Sequence, residues 1–226
     1  TDRNGNPAIS LAAREGYTVI AVALLKAGAH PDVRSRSGQT ALMYAALKGR
    51  TVTVRALLEG GAQVDATSGT GQTALMYAAW KNRAKTLGVL LEAGARVDLQ
   101  AGDGQTALMR ASREGHVEAV KLLLLVGRKD RAGFIRTEAV RALRTTGAGQ
   151  PGVLETALYG LKDKSREVRS QSARLLGIFH DKKSILPLLQ AIADPHWSVR
   201  ESSENALMNF GRDAVRPLIE ALGSSV

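Results

Sequence analysis

A chain of 226 residues that is 44% hydrophobic has enough apolar material for a folded core, but with aromatics at 4% that core must be filled by Ala, Leu and Val. Such a filling suits closely stacked helices better than a sandwich or barrel. The absence of cysteine excludes disulfides and thiolate metal sites, and no apolar run, Leu122 to Val126 included, approaches the roughly 18 residues of a membrane helix. Basic residues outnumber acidic ones 31 to 21, as 17 against 11 over residues 1–130 and 14 against 10 over 131–226. A positive field spread along the whole chain favours acidic protein surfaces, nucleic acid or anionic lipid without choosing among them. No signal peptide is visible, and a chain starting at Thr1 reads as a processed form or a piece of a longer one.

From the first residues onward the sequence repeats itself. Gly38-Gln39-Thr40-Ala41-Leu42-Met43 returns at Gly71 to Met76 and again at Gly104 to Met109, 33 residues apart each time, with a weaker copy at Gly5-Asn6-Pro7-Ala8-Ile9. The same step relates Gly28, Gly61, Gly94 and Gly127, relates Gly16, Gly49, Asn82 and Gly115, and relates Asp32, Asp65 and Asp98. One unit reads as two helices. Thr40 is placed as an N-cap whose hydroxyl accepts from a free amide. Leu42, Ala45 and Ala46 share one face, and Gly49 ends the helix in a left-handed conformation. Val54, Leu57 and Leu58 form the stripe of a second helix that Gly61 ends. Gln63 to Thr70 turns back towards the next unit. Neither helix can bury its face alone, so the copies must stack.

These residues resemble the ankyrin family: the period, the Gly-x-Thr-x-Leu opening, the Ala-Ala pair, the Gly between helices and the Leu-Leu-x-x-Gly-Ala close all match over residues 1 to about 130. The family usually places His after the first Leu, where this chain has Ser10, Met43, Met76 and Met109. Fewer inter-repeat hydrogen bonds and more thioether packing are therefore expected.

Past Asp130 the pattern changes. Val168-Arg169 recurs as Val199-Arg200, 31 residues on, and Ile135-Arg136 is an earlier copy. Each Arg lies six residues after an Asp, as Asp130/Arg136, Asp163/Arg169 and Asp194/Arg200, and Ile185-Leu186-Pro187-Leu188-Leu189 is echoed by Val215-Arg216-Pro217-Leu218-Ile219. These features resemble HEAT repeats, in particular the short bacterial kind first noted in phycobilin lyases. The resemblance implies that the Asp and Arg residues form a structural ladder between stacked repeats. The chain is thus expected to be all-α, a continuous α-solenoid of four ankyrin repeats (1–130) followed by three HEAT repeats (131–226). Arg128-Lys129-Asp130 leads straight from one series to the other without a Pro/Gly/Ser-rich linker.

Catalytic signatures are missing from the sequence. Gly69 to Ala74 spells G-x-G-x-x-A, but no hydrophobic strand precedes it and it falls on a repeat turn. The deoxyhypusine hydroxylase branch of the HEAT family binds iron with His-Glu pairs, and none of His30, His116, His180 and His196 is followed by Glu. No catalytic residue, cofactor or metal is assigned. The reading is a non-catalytic scaffold or peripheral assembly subunit that binds an acidic protein surface. A nucleic-acid-binding HEAT protein is the main alternative and a bilin-lyase-like enzyme a further one. The ankyrin resemblance implies partner contacts at turn tips and the exposed start of the inner helix, positions assigned here to Arg3, Arg14, Arg36, Gln39, Leu47, Lys48, Gln72, Trp80, Lys81, Gln105 and Arg113. Trp80 is the expected anchor, and Trp197 is expected to cap the HEAT stack.

Overall fold

The computed structural model describes residues 5–127 and 153–215, together with Asp2, Arg136, Thr137, Val140, Arg141, Leu143 and Ile219. Among the described residues every regular element is helical. They form two compact units, 1–111 with 118–127 and 112–117 with 128–226. The expected junction at Arg128–Asp130, and the ladder residue Asp130 itself, lie outside the described residues.

The first unit is built from helix pairs. An inner helix (α1, Ala8–Glu15; α3, Ala41–Lys48; α5, Ala74–Trp80) is followed by an outer one (α2, Thr18–Lys26; α4, Thr51–Glu59; α6, Ala84–Glu92). The fourth pair is α7 (Ala107–Arg113) and α8 (Val117–Gly127). Inner helices pack on inner helices, α1 on α3 on α5, and outer on outer, α2 on α4 on α6. The Ala-Ala pair explains why the inner row can close up. Ala45, Ala46, Ala78 and Ala79 are all fully buried, and a larger side chain there would force the backbones apart. Leu42, Leu57, Leu75, Leu87 and Leu90 fill the space between the two rows.

Helix ends follow from the turn chemistry. After α4, Gly61 takes φ 86° and donates to Leu58, while Ala62 donates to Leu57. That double bond satisfies two of the carbonyls a helix end leaves open. After α5 the left-handed position is filled by Asn82 at φ 52°, and Asn82 and Arg83 make the corresponding bonds to Ala79 and Ala78. The expected threonine cap holds in two copies and fails in one. Thr73 accepts from Met76 N–H at 3.3 Å and Thr106 from Met109 N–H at 3.3 Å. The Thr40 hydroxyl, by contrast, is buried with no partner among the described residues.

Methionine stands where the family carries His, and Met43 and Met76 are indeed buried. Hydrogen bonds between repeats are nevertheless plentiful, because other registers supply them. Thr18 pairs with Thr53 at 2.7 Å and Thr51 with Thr86 at 2.8 Å. Asp32 accepts from Gln63 N–H at 3.1 Å, and Asp65 from Arg96 N–H at 3.0 Å, which gives the Asp register its structural reason. At the turns, Gly69 N–H donates to Ser37 at 3.1 Å and Gly102 N–H to Thr70 at 3.0 Å. A repeat's upstream face is buried only where another repeat lies on it: Thr53 and Thr86 are 1% exposed, whereas Ile20, at the same register of the first repeat, is 52% exposed.

The second unit stacks helices in a similar way. Helix α9 (Val153–Gly160) packs on α10 (Arg166–Phe179), and α10 packs closely along α12 (Trp197–Phe210), which also contacts α11 (Ile185–Ala191). Two 3₁₀ turns, Lys182–Ser184 and Gly211–Ala214, join or extend these helices. The α10–α12 seam is lined by small residues: Ser170 and Ser202 share a 2.8 Å hydrogen bond, and Ala173 and Ala206 are buried. This seam explains the partial repeat of the apolar face. Leu176 and Leu207 are both buried, whereas Ala173 is buried and its counterpart Glu204 is exposed.

A pair of substitutions separates backbone strain from steric fit. Gly38 (φ 74°) and Gly61 (φ 86°) are both left-handed, but a Cβ on Gly38 would stand 2.5 Å from Gly69 N, while one on Gly61 would meet nothing within 4 Å. Gly61→Ala is expected to lower stability by about 1–2 kcal/mol, the cost of a left-handed L-residue. Gly38→Ala is expected to cost more, because two backbones must also separate. Urea denaturation of the two variants measures the difference.

Candidate partner-binding site

Leu47, Lys48, Trp80 and Lys81, expected at the exposed start of the inner helix, lie instead at its C-terminal end, because α3 begins at Ala41 and α5 at Ala74. These ends define a repeated surface on the first unit. Each inner helix runs out in a short loop, Leu47-Lys48-Gly49-Arg50 and then Trp80-Lys81-Asn82-Arg83. Leu47 and Trp80 are half-buried, and Lys48 and Lys81 are exposed. The Lys81 ammonium sits 3.8 Å from the centroid of the Trp80 ring. That contact is worth about 0.5–1 kcal/mol at an exposed site, and it fixes both side chains. Trp80 is thus less open than an isolated anchor would be.

The loops are tied together by arginines that the sequence reading did not single out. Arg50 Nε donates to the Arg14 carbonyl and Arg83 Nε to the Leu47 carbonyl, both at 3.3 Å. Both carbonyls belong to the last turn of an inner helix, where a cation is favoured. The signal was present as Arg at positions 50 and 83, one repeat apart, but the contact it makes lies in the neighbouring repeat and has no local trace.

Other expected contact residues divide by what they already hold. Gln39 uses its amide to donate to the Tyr77 hydroxyl at 2.8 Å, so it serves the repeat seam. Arg14 pairs with Glu15 at 2.9 Å and is half-buried. Arg36 is exposed, with its stem laid against Gly5. Gln72 and Gln105 are half-buried at turn ends. Arg113 is exposed and belongs to the second unit. Arg3 lies outside the described residues.

In the second unit the Asp and Arg positions pair across repeats. Arg136 meets Asp163 through two parallel bonds, Nε to Oδ2 at 2.9 Å and Nη2 to Oδ1 at 3.0 Å, with side chains only 2% and 4% exposed. Arg169 meets Asp194 in the same way, at 2.7 and 3.0 Å. Arg136 and Arg169 therefore bond the Asp of the following repeat, which for Arg169 is not the one six residues before it. That earlier Asp instead offers its backbone: Arg169 Nη1 donates to the Asp163 carbonyl and Arg200 Nη1 to the Asp194 carbonyl, both at 2.9 Å. The fork geometry of Arg suits this double duty, which Lys could not perform.

Electrostatics follow the pairing. The Arg169 guanidinium and then the His196 N–H hold the Asp194 carboxyl below the usual carboxylate range. Arg166, helped by the Ser165 hydroxyl, brings Glu167 down to about 2. His196 caps α12 and accepts from Ser198 N–H at 3.3 Å, while its Nε2 lies 2.7 Å from Arg166. Trp197, expected as a cap over the stack, is 62% exposed. As the first residue of α12 it precedes the turn that packs, with its ring 6.0 Å from the His196 ring.

A groove of about 600 Å³ between α9 and α11, walled by Leu158, Tyr159, Lys162, Pro187 and Gln190, also had no sequence signal. Among the described residues no three His, Asp or Glu side chains gather as a metal site requires. No described helix is long and apolar enough to cross a membrane.

The geometry agrees with comparison to known families. The family model for ankyrin repeats (3 copies) matches residues 9–101 and 67–132. The chain belongs to the ankyrin-repeat family. The HEAT-repeat model matches residues 154–226, so this ankyrin-repeat protein carries HEAT repeats after its ankyrin repeats. No curated protein matches the chain. Both repeat families imply binding to other proteins.

Two measurements test the ladder. Arg136→Met leaves the Asp163 carboxylate buried without its partner and is expected to cost about 3–5 kcal/mol of stability, most of it recovered in Arg136→Met/Asp163→Leu. Because the Asp194 carboxyl is depressed in the folded state, its contribution is complete above the unfolded value near 4 and is lost as pH falls through the folded value. Unfolding free energy is thus expected to fall as pH drops below about 4, and less steeply in Asp194→Asn.

Proposed function

We propose that this protein is a non-catalytic interaction scaffold or peripheral assembly subunit whose ankyrin inner-helix ends receive an acidic protein surface. The observation that carries the reading is the repeated pairing of a half-buried apolar side chain with an exposed ammonium: Leu47 with Lys48, then Trp80 with Lys81. An apolar centre inside a charged rim is the arrangement protein interfaces use. The net charge of +10 adds attraction to an acidic partner at long range. The helices beneath hold the loops in register, so a partner meets a surface that needs little ordering.

The same positive charge would also attract nucleic acid, and salt dependence separates the two partners. Binding that rests on phosphate contacts falls steeply as salt rises, since each contact releases counterions. Only two Trp, four Tyr and three Phe are available for base stacking, so single-strand binding is expected to stay weak.

Trp80→Ala tests the site. A buried aromatic anchor is worth about 2 kcal/mol or more of binding, so partner capture followed by titration is expected to show at least about a tenfold loss of affinity. The unfolding temperature is expected to change little. A variant that melts much earlier, and binds normally in its folded fraction, would make Trp80 a packing residue.

A further inference from the structure

We infer that the loops after α3 and α5 form a two-rung cationic rail for an extended acidic peptide segment, in polyproline II conformation, with a carboxylate at every third residue. The inference rests on the acidic-partner reading above and specifies that partner's backbone form and spacing.

The rungs are Lys48 with Arg50 and Lys81 with Arg83, one repeat apart. Both arginines are held before any partner arrives. Their Nε groups are bonded to the carbonyls of the preceding loop at 3.3 Å. Their stems lie flat across that loop's glycine: Arg50 Cδ is 2.8 Å from where a Cβ on Gly16 would stand, and Arg83 Cδ is 2.7 Å from the same point on Gly49. Capping of the inner helices accounts for the Nε bonds. It takes up neither the outer guanidinium nitrogens nor the Lys48 ammonium, and the Lys81 ammonium stays charged over the Trp80 ring at 3.8 Å. None of the four cations makes an ion pair among the described residues. Like charges in adjacent loops repel, and the carboxylate at the same register of the first repeat, Glu15, is already paired with Arg14 at 2.9 Å. Glu59 and Glu92 are the last residues of α4 and α6, about 13 Å away along nine-residue helices, and Asp65 and Asp98 follow them in the chain.

Spacing selects the ligand. Inner helices pack on one another along the unit, and stacked helices lie about 8–10 Å apart, which sets the interval expected between the rungs. A polyproline II segment turns once in three residues and rises about 3.1 Å per residue, which puts residues i and i+3 on one edge at about 9 Å. A β-strand alternates faces and presents one edge at about 6.6 Å or 13 Å, matching neither rung. The half-buried Trp80 on the second rung offers the aromatic wall such segments dock against. The rail also has an end. The first repeat carries Glu15 at the lysine register, paired with Arg14 at 2.9 Å, and a carboxylate there repels a longer acidic run.

The experiment uses the full chain and fluorescein-labelled peptides at low ionic strength, read by anisotropy. One peptide repeats the triplet Glu-Pro-Pro, a second has the same composition with its Glu residues contiguous, and a third is an Ala-rich helix with Glu seven residues apart. The triplet peptide is expected to bind at least about fivefold more tightly than either, the worth of one good surface ion pair. Lys48→Glu and Lys81→Glu are each expected to weaken it by a similar factor, while Lys26→Glu, exposed at the far end of α2, leaves it unchanged. Equal affinity for the triplet and contiguous peptides overturns the inference. So does tighter binding of the helical peptide, or of a single-stranded oligonucleotide of equal charge. If the peptides fail to discriminate while Trp80→Ala still abolishes capture of the protein partner, the rail is wrong and the scaffold reading stands. If the triplet peptide binds as described and Trp80→Ala leaves capture intact, the rail stands and the anchor is wrong.

Discussion

An eight- or nine-residue helix in water does not hold together by its own hydrogen bonds, and no ankyrin helix of α1 to α6 exceeds nine residues. Each survives because a copy of itself lies alongside. That need dictates the composition. Alanine pairs let inner helices approach closely, leucines seal the space between rows, and left-handed residues turn the chain within a few positions. The surface is then divided before any question of function arises. Positions that face a neighbour hold their chemistry from repeat to repeat, as Ala45 and Ala78 do, while positions that face outward, as Leu47 and Trp80 do, are released from that duty.

The two units solve the seam differently. In the ankyrin unit the polar links are neutral or half-charged, hydroxyl to hydroxyl and carboxylate to backbone amide, and most lie near water. In the HEAT unit the links are paired charges, one pair almost fully buried. Removing charges from water is expensive unless the geometry is good and other bonds are met. The bidentate fork meets that condition, and the backbone carbonyls taken up by Arg169 extend it. A buried ion pair of this kind sets register more than it adds stability: a slip of one residue would leave two charges without partners.

Much of this was legible from one sequence because the signal was repeated. A period of 33 residues marks helix pairs, ends and turns several times over, so single errors average out. Legibility failed where a property depended on a neighbour. Thr40, Thr73 and Thr106 occupy one register, yet only two cap their helices with the hydroxyl. Gln39 reads as a surface amide, and its partner, Tyr77, lies 38 residues away. Trp197 reads as a cap because Trp is large and apolar, and its exposure comes from its place ahead of the first packed turn. The Asp-to-Arg spacing of six was visible, but not that Arg169 and Arg200 each take the backbone carbonyl of the Asp six residues before it. The arginines at positions 50 and 83 carried a period that went unread, because Arg on a surface has no unusual composition.

The threonine seam has a consequence for how such a chain can change length. The second repeat carries both halves of the contact: Thr53 faces Thr18 upstream, and Thr51 faces Thr86 downstream. Its other links share this property, since Arg50 reaches back to the first repeat and Leu47 receives Arg83 from the third. Excising one full period here would bring Thr18 opposite Thr86, the Arg14 carbonyl opposite Arg83, and Asp32 opposite the amide of Arg96. Each of these bonds would find the same kind of chemical partner it had before. The seams are interchangeable, so whole-period duplication or loss is the genetic change this architecture absorbs with least disturbance, whereas insertion of a few residues breaks every register at once.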